Sequence, residues 1–105
     1  MDVKVNKSEW DSLTEAERES ITSITTKHFK NTTLTPDPTT AKSRDTVAQQ
    51  IKPAFNWSNP VCTAACGVAE AAAVAACSAL SGGVAIAVCV AVAHEAGNFC
   101  RSQCP

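Results

Sequence analysis

Hydrophobic and polar positions divide this chain into three stretches. From 8 to about 30, Trp10, Leu13, Ile21, Ile24 and Phe29 form a thin apolar stripe on a charged background, and Ser8 before Asp11 and Thr14 before Glu17 are helix-start signals. The spacing predicts an N-terminal amphipathic helix, marginal by itself because Thr22, Thr25 and Thr26 lower its propensity. Residues 31–46 carry threonine, two prolines and scattered charge, with almost no apolar side chain besides Leu34. They read as a flexible linker that continues to 55, with a turn or two of helix over 46–51 before Pro53. Two long apolar segments follow, 61–80 and 84–104, the first opened by Asn59-Pro60 and the two divided by Ser81-Gly82-Gly83. The expected architecture is all-α, with segments 1–30, 31–55 and 56–105, the last an antiparallel helical hairpin.

The cysteines add a constraint that hydropathy lacks. Cys62 and Cys104, Cys66 and Cys100, and Cys77 and Cys89 lie at equal distances on either side of Gly83. A chain reversing at that glycine brings each pair level, which selects one pairing among those six cysteines allow. Within each segment the cysteines are four and eleven residues apart, close to whole helical turns, so each set of three shares one stripe. A disulfide holds its Cα atoms about 4.4–6.8 Å apart, closer than the about 8–10 Å of ordinary helix packing. The seam therefore needs small side chains, and Ala64, Ala65, Ala69, Ala73, Ala76, Ala85, Ala93 and Ala96 supply them, with Gly67 and Gly97 beside the outer bridges. The expectation is a hairpin stapled by nested disulfides 62–104, 66–100 and 77–89.

Charge separates the two halves. Residues 1–55 hold eight basic and eight acidic side chains, whereas 56–105 hold only Glu70, Glu95 and Arg101. A net charge of −1 without a basic cluster argues against nucleic-acid binding. The lack of lysine beyond Lys52 argues against a simple cationic membrane peptide. Six cysteines within the last 44 residues have the density of a disulfide-framed secreted module. The opening MDVKVNK lacks the apolar core of a standard signal peptide, so the expected route is a dedicated exporter.

Other readings of the same residues stay open. Residues 71–93 run 23 positions without a charge, long enough for one transmembrane helix and a membrane-anchored interaction protein. Ser81-Gly82-Gly83 and the alanines standing where leucines are expected weigh against it. Cys62 and Cys66 with Cys100 and Cys104 could form a four-sulfur copper(I) or zinc site, leaving Cys77 and Cys89 outside it. Disulfides account for all six cysteines, so neither a metal nor a cofactor is expected. His94 and Glu95 adjoin and point about 100° apart on a helix. With Glu70 on the opposing segment they read as a polar edge, and with no nucleophile motif or phosphate loop an enzyme is not expected.

The block VCTAACGVAEAAAVAACSALSGGVAIAVCVAVAHEAGNFCRSQC resembles the cysteine-rich, Ala/Gly/Val-rich cores of halocin-like bacteriocins. Its nested hairpin is also similar to that of sublancin-type glycocins and plant α-hairpinins, whose cysteine spacings differ. EWDSLTEAERESI resembles the leader region of bacterial ribosomally made peptide precursors. The resemblance implies an antimicrobial precursor with residues 1 to about 55 as leader or protective segment. Trp10, Leu13, Ile21 and Ile24 would then be recognised by export or processing machinery, or would cover the hairpin before release. The hairpin would meet a target-cell membrane or membrane receptor through Val68, Val74, Leu80, Val84, Ile86, Val88, Val90 and Val92, more apolar surface than two helices bury mutually.

Overall fold

A computed structural model describes residues 2–40 and 60–104. Strand β1 spans Asp2–Asn6, helix α1 Lys7–Ser12, helix α2 Glu15–His28 and strand β2 Thr33–Asp37. The C-terminal half contributes helix α3, Pro60–Cys77, and helix α4, Gly83–Ser102. The fold is mostly helical, but all-α is too simple. β1 and β2 pair in parallel, with Val3 opposite Leu34 and Val5 opposite Pro36.

The strands have local causes. Asp-Val-Lys-Val-Asn alternates, and Val3 and Val5 are buried while Lys4 faces solvent. β2 lies inside the stretch expected to be linker. Its one aliphatic side chain, Leu34, packs against the core, and polar ties hold the rest: the Thr35 hydroxyl donates to Asp2 at 2.6 Å, and Lys4 meets Asp37 at 3.6 Å. Pro36, with no amide hydrogen, is tolerated because both strands of a two-stranded sheet are edges. Such a pair is marginal in water alone, and packing of β1 on α4 supports it.

The one helix expected over 8–30 is two. Asn6, not Ser8, caps α1, its side-chain oxygen accepting from the Glu9 amide at 3.0 Å. The chain then extends at Leu13 to bury that side chain, and Arg18 reaches back to the carbonyls of Trp10 (3.0 Å) and Asp11 (3.1 Å). Those bonds add to the Leu13 amide, which donates to the Trp10 carbonyl at 3.2 Å, in satisfying the carbonyls at the end of α1. α2 opens with the expected reciprocal cap: the Glu17 amide donates to Thr14 Oγ1 at 3.2 Å, and the Thr14 amide donates to Glu17 Oε1 at 2.9 Å. The threonines that weaken this helix turn their hydroxyls inward to it, as Thr25 does to the Ile21 carbonyl at 2.8 Å. Asn31, at φ 60°, makes the left-handed turn into β2.

α4 is the central helix. Nine of its twenty residues are buried, against three of eighteen in α3. The core joins Val3, Val5, Leu13, Ile21 and Phe29 to Ala85, Val88, Val92, Ala93 and Ala96, with Cys77 and Cys89 among them. Trp10 and Ile24 pack half-buried against it. The N-terminal stripe is thus one wall of a shared core, where it covers the helix pair.

α3 tightens as it ends, through bonds from Ser78, Ala79 and Leu80 to the carbonyls three residues back (3.3, 3.2 and 3.1 Å). The helix breaks there, so a single transmembrane helix over 71–93 does not form. Gly82 precedes α4 at φ −99°, an ordinary extended value. Its requirement is space, because a Cβ there would collide with the Glu17 carboxylate. The helical turn expected over 46–51, the linker past Thr40 and the Asn59 cap lie outside the described residues.

Candidate functional site

Three disulfides tie α3 to α4 and the residues just beyond it. Cys62–Cys104, Cys66–Cys100 and Cys77–Cys89 have Cα separations of 5.8, 5.8 and 5.6 Å. These are the pairs placed symmetrically about Gly83, and the bridged positions rise along α3 as they fall along α4. Such close backbones leave room only for small neighbours, and Ala73, Ala85, Ala93 and Ala96 are buried accordingly. Three disulfides also fit an oxidising, extracellular-type environment.

The two glycines expected in the seam do different things. A Cβ on Gly97 would lie 2.6 Å from Glu70 Oε1, so its absence admits that carboxylate between the helices. Gly67 has open space around it.

Glu70 is the hub of a polar cluster. Its Oε1 accepts from Arg101 Nη1 at 2.9 Å, and Oε2 lies 3.1 Å from His94 Nδ1. Arg101 also donates to Asn98, and its buried Nε has no partner among the described residues. Of the adjoining pair His94 and Glu95, read as a polar edge facing Glu70, only His94 meets that carboxylate. The part of Arg101 was missed, although the helical step from His94 to Arg101, two turns, could have signalled it. Glu95 stands apart. It is half-buried, makes no hydrogen bond or ion pair among the described residues, and burial pushes its carboxyl up from 4.5 to about 7. The cluster is a half-buried clasp between the two helices.

The outer face of α3 is the main apolar surface. Val61 and Val68 are 78% and 71% exposed, and Ala64, Ala65, Ala71 and Ala75 are exposed with them. Of the eight expected surface residues, Val68 and Val84 are exposed, while Val74, Leu80, Ile86 and Val90 are half-buried. Val88 and Val92 are corrected to core, each 1% exposed, because the N-terminal half packs over that side of α4. Leu13 and Ile21 are buried in the core and Trp10 and Ile24 line its edge, so these four residues cover the helix pair, the second of the two roles expected for them. Exposed Val61 and Phe99 were not anticipated.

An open groove of about 730 Å³ separates α2 from the end of α3, with Ile24, Ala76, Ala79 and Leu80 below Glu19, Ser20 and Ser23. Among the described residues its polar lining comes from α2 alone, through Glu19, Ser20 and Ser23. The chain matches no protein-family model, no curated protein and no solved structure, so any function has to be argued from its own residues.

Proposed function

We propose that this chain is a bacteriocin-like antimicrobial protein, secreted by dedicated machinery, whose stapled antiparallel hairpin engages a target-cell membrane or membrane receptor. One observation carries the reading: α3 is an 18-residue helix whose outward face is aliphatic, with Val61, Val68 and four exposed alanines. Its one charge, Glu70, is turned inward to Arg101 and His94 and does not interrupt that face. Both α3 and α4 are also long and apolar enough to cross a membrane by length and composition. A contiguous apolar face of this kind marks an interaction surface. The disulfides hold it rigid, which lowers the ordering cost of binding. The N-terminal half serves as the protective part, since it covers Val88 and Val92. Processing that removes it would add their side of α4 to the active surface.

The test uses the oxidised full chain. It is mixed with vesicles of phosphatidylglycerol and phosphatidylethanolamine, and with bacterial membranes before and after protease treatment. Sedimentation with pure lipid identifies the bilayer as target, and protease-sensitive binding to membranes alone identifies a receptor. Val68→Lys leaves stability within about 0.5 kcal/mol and weakens binding about tenfold, as loss of one buried aliphatic contact would. A chain that binds neither preparation and inhibits no Gram-positive or Gram-negative indicator strain refutes the proposal.

A further inference from the structure

The outer end of the helix pair gathers sulfur from two different bridges. The Sγ atoms of Cys62, Cys66 and Cys104 all lie within 4.8 Å of one another, although Cys66 is bonded to Cys100 and not to either of the others. We infer that, once a thiol reductant has opened the two outer bridges, these three cysteines form a copper(I) site. The inference stands apart from the membrane reading and does not require it.

Three features support it. The first is distance. A triangle with sides of at most 4.8 Å has a point no farther than about 2.8 Å from every corner. Metal–thiolate bonds are about 2.3 Å, which sets three sulfurs around one ion about 4 Å from one another; Cys66 already lies within 4.8 Å of the other two, and Cys62 and Cys104, 1.99 Å apart while bonded, need to separate by about 2 Å once their bridge opens. The second is donor chemistry. Soft thiolates select copper(I), and a three-sulfur set suits an ion content with three ligands better than zinc, which takes four in structural sites. The third is unequal access. Cys77 and Cys89 are 0% and 1% exposed, whereas each outer bridge has one half-buried residue, Cys62 or Cys100. A reductant in solution reaches the outer bridges first. The Cys77–Cys89 bond and the core around Val88, Val92 and Ile21 keep α3 and α4 paired meanwhile.

The chemistry balances simply. Each outer S–S bond takes two electrons and two protons from two molecules of a monothiol or one dithiol, which leaves as its own disulfide. Four cysteine thiols result. Copper(I) then forms three S–Cu bonds at Cys62, Cys66 and Cys104 and releases their three protons to solvent. Cys100 remains a thiol.

The full chain is reduced anaerobically with dithiothreitol, desalted, and titrated with copper(I) in competition with bicinchoninate. One copper per chain, with three sulfur neighbours by X-ray absorption, is the expected result. Cys62→Ser and Cys104→Ser each weaken uptake by about tenfold or more, whereas Cys100→Ser leaves it within about threefold, since only the former remove a ligand. The oxidised chain takes up none. Copper left on the chelator overturns the inference, as does equal weakening by Cys100→Ser and Cys62→Ser. Far-ultraviolet circular dichroism of the reduced chain supplies a second check. A random-coil spectrum together with copper uptake would mean that scattered thiols, not this end of the fold, bind the metal.

Discussion

Removing the outermost bridge, by Cys62→Ala with Cys104→Ala, distinguishes three separate staples from one nested set. Taken singly, the bridges close separations of 42, 34 and 12 residues. Loop entropy then ranks them at about 4.0, 3.8 and 2.8 kcal/mol. Nesting removes that order. With Cys66–Cys100 intact, opening Cys62–Cys104 frees only the four-residue steps on either side. A ring of about eight residues is worth about 2.5 kcal/mol on the same scale. With Cys66–Cys100 intact, Cys77–Cys89 divides that loop into rings of about 12 and 22 residues, worth about 2.4 kcal/mol on the same scale. Both its cysteines are buried, so truncation adds a packing loss on the order of 1 kcal/mol. The inner double variant should therefore lose about 3.5 kcal/mol and the outer one about 2.5 kcal/mol. Guanidinium unfolding without reductant, followed by far-ultraviolet circular dichroism, measures both. An outer variant less stable than the inner one by about 1 kcal/mol or more would refute the nesting argument.

Other consequences are as direct. Glu70→Ala strands Arg101, which is 9% exposed, and should cost about 3–5 kcal/mol; adding Arg101→Leu should restore part of that loss, and a single-variant cost below about 1 kcal/mol would mean the clasp carries no stability. Gly97→Ala should destabilise by about 1–3 kcal/mol because its Cβ meets Glu70. Gly67→Ala, with open space around it, should stabilise by about 0.5–1 kcal/mol, and thermal melts of the pair test both signs. Glu95, raised from 4.5 to about 7, holds its proton more tightly folded than unfolded, so its contribution is full at low pH and falls as pH rises through that window. Discounted for its partial exposure, about 1–2 kcal/mol is lost by pH 8. Glu95→Gln should flatten the stability profile between those values, and an unchanged slope would contradict it.

The helix pair was readable because two independent periodicities agreed. Equal spacing about Gly83 chose the partners, and steps of four and eleven chose the helical face. The Thr14/Glu17 cap was readable for a similar reason, since its chemistry is confined to three residues. The strand pair was not. Only Val3 and Val5 show a two-residue period, and β2 is held by hydroxyl, carboxylate and lysine contacts whose partners lie about thirty residues away. The same distance problem misplaced Val88 and Val92. Their hydrophobicity was plain, but whether solvent or Ile21 and Leu13 would face them depends on how the N-terminal half returns to α4. Glu17 and Gly82 likewise meet across the fold, so the glycine that resembled a turn residue is a clearance for a distant carboxylate.

The nested bridges also set an order of events in the life of the chain. Once Cys62 is joined to Cys104, the 41 intervening residues form a closed covalent ring, and no end remains within it to lead through an opening. Under the proposed export, single-file passage of these residues across a membrane would require open thiols, and oxidation would follow on the far side. After oxidation the path can admit only a doubled rod, two helices wide. An exporter with a narrow channel would then act as a one-way valve, because the cross-linked product no longer fits the route by which it came.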